Sequence, residues 1–545
     1  MIKTSLRTKG FSPKVWRPVW RIIGNIYNCN SSSFITPKSG KSHIYSTLDT
    51  DLRVKDLRSK NSRNYKDDPT VALEEFLSDL DTPEFDMYYD KMKKAAKFFS
   101  ASPQDIIPYE FILLKSLRQI RSQQTLVNFG FFLINISLTR NSRLVTEFTE
   151  KSKLIEIYNP RYLRKLIYIF SRLKPQDTSM LDVYEKQVLK MLRQFEFKDI
   201  ALIMWSYCSL RKGSPVFFQT VERHIVANKD KLTNPQDIAN ILWAFTIDPR
   251  VFIKRNIFEL VEGNVIAQAS QFTAKSLANI IWAFAKARRG NQKLMTHLEP
   301  TVIDLLPKFN SQDLSNTIYA YAILNAGSDH LFDKFAEAII KRFHVTFNVQ
   351  ERFNVSWSFC VRGRKLYPEV MEIMLKTILN SAQEKKMNHK QRTQLVQTLL
   401  ELELNYPQLH KWIKDNYTKF LSQDVSLHRN RTVSTHQRTI GRALKALKYE
   451  FEHEKLLGFY AVDFFIEPNI VIELDGPHHF INGTTEPLGP TLMKKRHLEA
   501  HGYKVANFSH VVISNLGSSS NIQRFLDSNI QLLMKEVAVN EDVDQ

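Results

Sequence analysis

Asn234-Pro235-Gln236-Asp237-Ile238-Ala239-Asn240-Ile241-Leu242-Trp243-Ala244-Phe245 is the stretch that decides the fold, because weaker copies of it recur on both sides at a nearly fixed interval. Aligned on Trp243, the copies bring Phe131, Tyr168, Trp205, Trp282, Tyr319 and Trp357 into register, with successive gaps of 37, 37, 38, 39, 37 and 38 residues. A period of this length marks a repeat architecture. Each copy predicts a helix whose N-cap stands nine places before the aromatic: Ser122, Asn159, Glu196, Asn234, Thr273, Asn310 and Asn348. Their side-chain oxygens suit the free N–H groups of a first turn, and Pro160 and Pro235 take the tolerated first helical position. Asp237, Asp313 and Glu351, three residues past their caps, add the carboxylates of capping boxes.

Between copies, Gly213-Ser214-Pro215, Asp248-Pro249, Gly290-Asn291 and Gly327-Ser328 read as the stop of one helix and the cap of another. The unit is then a helical hairpin. A lone hairpin cannot bury both faces, whereas stacked copies share one apolar core, so the series predicts an α-solenoid with a long concave surface. Leu73, Phe76, Leu77 and Leu80 predict an entry helix before the first copy. Past Lys376 the pattern degrades, since Thr393-Gln394-Leu395-Val396 lacks the aromatic, as a terminal capping repeat would.

The 545 residues carry 76 Lys and Arg against 56 Asp and Glu, a formal charge of +20. Residues 1–48 hold Lys3, Arg7, Lys9, Lys14, Arg17, Arg21, Lys38 and Lys41 and no acid, which leaves +12 on the remainder. That composition predicts a transit peptide over 1–48 and import into the mitochondrial matrix, with a plastid as the alternative. Residues 49–69, polar and poor in large apolar side chains, read as a linker, and 70–425 as the solenoid. The longest apolar run, near Phe129 to Leu138, is too short to span a bilayer, so no membrane partner is expected. Cys29, Cys208 and Cys360 have no paired ligand spacing, which argues against a disulfide framework or a zinc site.

Three residues before the aromatic, Asn128, Asn240, Asn279, Asn316 and Asn354 recur, with Lys165 and Leu202 in the other copies. A polar amide once per repeat either bonds the neighbouring backbone or reads a base edge or phosphate of an extended strand. Residues 426–450 form a basic linker: Arg429 and Arg431 precede a helix carrying Arg438, Arg442, Lys445 and Lys448 on one broad face, with no acid from Val425 to Tyr449. This density of positive charge points to nucleic acid.

The pattern then changes. Gly458 to Ile466 and Ile470 to Asp475 read as strands around a turn at Glu467-Pro468-Asn469, followed by a helix from Thr491 to His501, a strand from Tyr503 to Phe508 and a helix from Asn521 to Lys535. Residues 451–535 are thus a small α/β domain, and 536–545 an acidic tail.

Within it, Val462-Asp463-Phe464, Ile472-Glu473-Leu474-Asp475-Gly476-Pro477-His478-His479-Phe480, Lys495-Arg496-His497-Leu498 and Gly502-Tyr503-Lys504-Val505 resemble the RAP domain of organellar RNA-associated proteins over roughly residues 451–511. The upstream helices look like the octotricopeptide and heptatricopeptide arrays that accompany RAP domains in apicomplexan parasites and green algae, and are similar to the FAST kinase-like mitochondrial proteins. The resemblance implies organellar RNA binding in processing, stability, ribosome assembly or translation, with messenger or ribosomal RNA, and the mitochondrial ribosome, as partners of a monomer. It brings His478, Lys495 and Arg496 to the RNA-binding set and a restriction-endonuclease-like fold to the domain.

That likeness extends to PD-(D/E)XK nucleases. Asp463, Glu473 and Asp475 would bring three carboxylates to a strand end, a set able to hold Mg²⁺ or Mn²⁺, with His479 assisting proton transfer. Asp475 stands where the nuclease pattern has a Lys, so the favoured expectation is a binding protein without a cofactor; a metal-dependent ribonuclease and a protein-binding scaffold are the alternatives.

Overall fold

The computed structural model describes residues 76–77, 96, 109–136, 142–247, 257–342, 347–363, 365, 367–382, 387–421 and 434–543. The transit segment, the linker at 49–69, Arg429 and Arg431 lie outside them. The described residues form two compact units that part between Phe272 and Thr273.

The first unit contains α1 (Glu110–Gln119), α2 (Gln123–Asn135), α3 (Arg143–Lys153), α4 (Pro160–Leu173), α5 (Met180–Met191), α6 (Phe197–Ser209), α7 (Pro215–Ala227), α8 (Pro235–Ile247) and α9 (Ile257–Ala267). The hairpins stack in two layers: α2 packs on α4, α4 on α6 and α6 on α8, while α1, α3, α5, α7 and α9 form the outer row. Phe76 stacks on Phe132 at 4.5 Å, where the sequence places an entry helix.

The second unit continues the pattern with α10 (Ala274–Lys286), α11 (Gln292–Leu305), α12 (Ser311–Ile323), α13 (Asp329–Lys341), α14 (Val349–Arg362), α15 (Pro368–Ala382), α16 (His389–Asn405) and α17 (Pro407–Leu421). Here α10, α12, α14 and α16 form the inner row and α11, α13, α15 and α17 the outer. All seven expected N-caps begin inner-row helices, and Glu196, Thr273, Asn310 and Asn348 close reciprocal capping boxes. An eighth copy appears at α16, capped by Asn388 with Gln391. Its cap also lies nine places before the ladder position, which Gln397 occupies in place of an aromatic.

The spacing of apolar residues explains the layers. In α8, Ile238, Ala239, Ile241, Leu242, Ala244 and Phe245 are buried, which leaves the half-buried Gln236 and Trp243 on the remaining stripe with Asn240 buried between them. Full burial of each large aliphatic or aromatic side chain contributes roughly 1.5–3 kcal/mol, so the packed row outweighs the weak propensity of its polar members. The turns between layers need a left-handed residue. Gly213, Gly290 and Gly327 take φ +98, +90 and +89, and each stands two places after Arg211, Arg288 or Asn325, also at positive φ.

After α18 (Thr435–Ala446) comes a four-stranded sheet, β1 (Glu452–Leu457), β2 (Tyr460–Ile466), β3 (Ile470–Asp475) and β4 (Lys504–Ser509), in that order. β1, β2 and β3 are antiparallel, and β4 runs parallel to β3 through α19 (Gly489–Ala500). The chain ends with α20 (His510–Asn515) and α21 (Ser519–Val543). One sheet face, with Phe464, Ile466, Ile470 and Ile472, packs on Ile440 and Leu444 of α18 and on Leu526 and Ile530 of α21. Four details differ from the sequence reading. β1 is an additional strand, and α20 an additional helix. α21 runs past Lys535 through most of the expected acidic tail, and α18 ends before Lys448, which takes φ +63 beyond the helix.

Candidate nucleic-acid interface

Three positions of every inner-row helix share one stripe: seven residues before the ladder position, three before it, and the ladder position itself; Asn128, Asn240, Asn354 and Trp357 on it are buried. The aromatics are half-buried and stand beside one another rather than inside the core; only Trp357, 5% exposed, is buried. In the first unit Phe131, Tyr168 and Trp205 lie 6.1 and 6.2 Å apart, and in the second Trp282, Tyr319 and Trp357 lie 5.5 and 5.2 Å apart, all tilted. Such pairs contribute about 0.5–1.5 kcal/mol beyond buried area and fix one repeat on the next. The ladder is therefore both a repeat-to-repeat contact and a row of partly open rings.

The recurring amides divide into two kinds. Asn354 is knitted into the array: its Oδ1 accepts from Gln350 Nε2 at 3.0 Å and from Gln394 Nε2 at 3.2 Å. Asn240 accepts from Gln236 at 2.9 Å, but its buried Nδ2 has no partner. Asn279 and Asn316 are half-buried, and neither amide has a side-chain or backbone partner among the described residues. A desolvated amide left unpaired costs about 1–3 kcal/mol, so these are the positions a ligand would satisfy.

Charge along the stripe is one-sided. Counting also the position four residues past the aromatic, the eight copies hold Arg161, Lys165, Arg172, Lys198, Lys275, Lys286 and Lys390 and one acid, Glu401. That acid is turned away. Glu401, 1% exposed, accepts from Arg496 Nη2 and His497 Nε2 of α19, both at 2.8 Å. Burial opposes its ionisation, but the His497 hydrogen bond and the Arg496 charge outweigh that and hold its carboxyl below the usual glutamate range.

α19 lies across α12, α14 and α16. Arg496 also donates to Cys360 O at 2.5 Å, and Asn482 Nδ2 donates to Ala287 O at 2.7 Å. Arg288 Nη1 donates to His478 Nδ1 at 2.6 Å. Arg496 and His478, expected to touch RNA, are thus occupied in joining the sheet domain to the array. Lys495 forms a loose pair with Glu499 at 3.7 Å on a partly exposed flank.

Asp463, Glu473 and Asp475 do share the sheet face that α19 covers, but each is engaged separately. Asp463 accepts from Gln437 Nε2 at 2.6 Å and Leu474 N at 2.8 Å, and Asp475 accepts from Asn507 at 2.8 Å and faces His479 at 3.2 Å. Among the described residues no three acidic, His or Cys side chains converge as a metal set, although the charges of Asp463 and Asp475 both reach Glu473. Lys494 of α19 pairs with Glu473 at 2.6 Å, a cation the strand pattern did not reveal because it comes from a helix. Burial pushes Glu473 up to about 7 even so.

On α18, Ile440, Ala443 and Leu444 are buried, whereas Arg438, Arg442 and Lys445 are exposed and unpaired among the described residues. Spacings of four and three residues put them on one face.

Stacked helical hairpins joined to a four-stranded domain of this order define a class: helical-repeat proteins with a RAP domain, and the RAP domain model matches residues 472–526. Residues 117–451, more than half of the chain, match the model of the RNA-editing substrate-binding complex 8 protein family. The chain belongs to that family. It is also similar to a RAP domain-containing protein, chloroplastic, of Oryza sativa subsp. japonica, at 25% identity over 52% of this chain and 50% of the relative. The chain spans about half the length of that curated relative.

Proposed function

We propose that the protein binds single-stranded RNA along the inner rows of its helical units, as a component of an organellar RNA-processing assembly. The observation that carries this reading is the stripe itself: aromatic rungs, two amides, Asn279 and Asn316, without partners among the described residues, and seven cations against one diverted acid. Open rings stack bases without regard to sequence, amides read base edges, and Lys and Arg neutralise phosphates. The exposed face of α18 supplies further phosphate contacts beside the sheet domain. The family's description names a substrate-binding complex, which favours protein partners alongside RNA. Organellar residence is supported by the acid-free basic leader and by the chloroplastic relative, and the leader's composition favours the mitochondrion.

The reading requires affinity that weakens steeply with salt, since several phosphates are neutralised together. Filter binding of purified protein to single-stranded and duplex RNA across a salt series tests it. A flat response, or equal affinity for a duplex, sinks the proposal.

A further inference from the structure

The inner row of the second unit carries a pair of cations that neither capping nor ion pairing explains. Lys390, on the first turn of α16, is exposed, yet it reaches past α14 to place Nζ 4.6 Å from the centre of the Tyr319 ring on α12. Lys286 on α10 is close enough to repel it, and no carboxylate pairs with either among the described residues. The acids on the neighbouring first turns are committed elsewhere: Asp313 Oδ2 accepts from Asn310 N at 3.1 Å, and Glu351 Oε2 from Asn348 N at 2.9 Å. Lys275 and Arg352 on these helices add positive charge, as do His389 when protonated and Arg392.

Two ammonium groups without a counter-charge favour an anion between them, and the ring under Lys390 with the partnerless Asn316 beside it suits the rest of a nucleotide. We propose that Lys390 and Lys286 form a phosphate site that holds one phosphodiester of a single-stranded polynucleotide, with the adjoining base against the rung of Trp282 and Tyr319. The proposal rests on the RNA-binding reading above and names the place where one phosphate sits. Crowding by the surrounding protein, and then the charge of Lys286, push the Lys390 ammonium down to about 8. A bound phosphate restores that charge.

Two measurements on the full chain test the site. In the first, lysines are acetylated briefly at about pH 8 with and without inorganic tripolyphosphate and scored by mass spectrometry, with Lys293, exposed on the outer-row helix α11, as the reference. Tripolyphosphate is expected to shield Lys390 and Lys286 but not Lys293. In the second, Lys390→Gln and Lys286→Gln are titrated with labelled oligouridylate over a salt series. Each is expected to bind roughly tenfold more weakly, with the slope of log K against log salt reduced by about 0.7. Absence of shielding, or unchanged slopes in both variants, overturns the phosphate site while wild-type binding leaves the broader reading standing. Shielding without any oligouridylate binding by the wild type keeps an anion site and overturns the RNA reading.

Discussion

His497 Nε2 lies 2.8 Å from Glu401 Oε2, with the imidazole and the carboxylate both almost fully buried. Tyr460 Oη stands 2.9 Å from the other ring nitrogen, Nδ1. Burial lowers the affinity of His497 for a second proton, so a neutral ring donating from Nε2 and accepting at Nδ1 satisfies every group. Gln397 bonds Tyr460 and also accepts from Trp357 Nε1 at 2.7 Å. The last aromatic rung is thereby linked, bond by bond, to the sheet domain, and the one acid of the stripe serves as the anchor instead of facing a polyanion.

Glu401→Ala should therefore cost about 3–5 kcal/mol, because it leaves the buried His497 Nε2 without an acceptor and Arg496 without its counter-charge. Since the folded carboxyl is held below its ordinary value, the contribution of Glu401 is present above the usual glutamate range and is lost as pH falls through the depressed folded value. Urea denaturation from pH 7 down to about pH 3 should show wild type losing this increment toward the acid end and the variant lacking it throughout. A variant as stable as wild type at neutral pH would remove the anchor from the account.

Gly489→Ala tests the same joint by shape alone. A Cβ at Gly489 would collide with the Ala322 carbonyl oxygen and stand 2.6 Å from Val361 Cγ1, where α19 meets α12 and α14. Backbone cannot yield as a flexible side chain can, so α19 must lift. Limited proteolysis should release the sheet domain faster than in wild type. Unchanged cleavage would show that the joint tolerates the methyl group.

The repeats were legible because one physical rule, an oxygen-bearing cap nine residues before an aromatic, repeats in seven copies. That rule placed the inner helices to the residue at Asn159 and Asn310. The eighth copy was legible only as a degraded terminal repeat because Gln397 replaces the ring while Asn388 keeps the cap. Site chemistry was less legible, since it depends on partners distant in sequence. Arg496 looks like an RNA contact beside Lys495, and its pairing with Glu401 across 95 residues leaves no local signature. Lys494 is likewise silent until α19 lays it against Glu473.

The basic face of α18 should act on affinity and spare stability. Replacing Arg438, Arg442 and Lys445 together with Ala removes three exposed cations while Ile440 and Leu444 keep their packing. The salt slope for single-stranded RNA should fall by about 2, with binding weakened similarly for all sequences, and the melting temperature should shift little. Wild-type affinity in this variant would mean that α18 faces solvent or a protein.

Asn316 and Asn354 occupy the same repeat position but should respond in opposite ways. Asn354→Ala breaks the bonds to Gln350 and Gln394 and leaves the buried Gln394 Nε2 without this acceptor, while Gln350 keeps its bond to Gln394 Oε1, a loss of about 1–3 kcal/mol that denaturation would register. Asn316→Ala removes an amide with no partner among the described residues, so stability should hold or rise slightly. What it should change is preference: if this amide reads a base edge, selection from a pool of random single strands should lose discrimination at one position while keeping average affinity. An unchanged selection profile together with unchanged stability would leave Asn316 without a role in recognition and assign the reading to the rings alone.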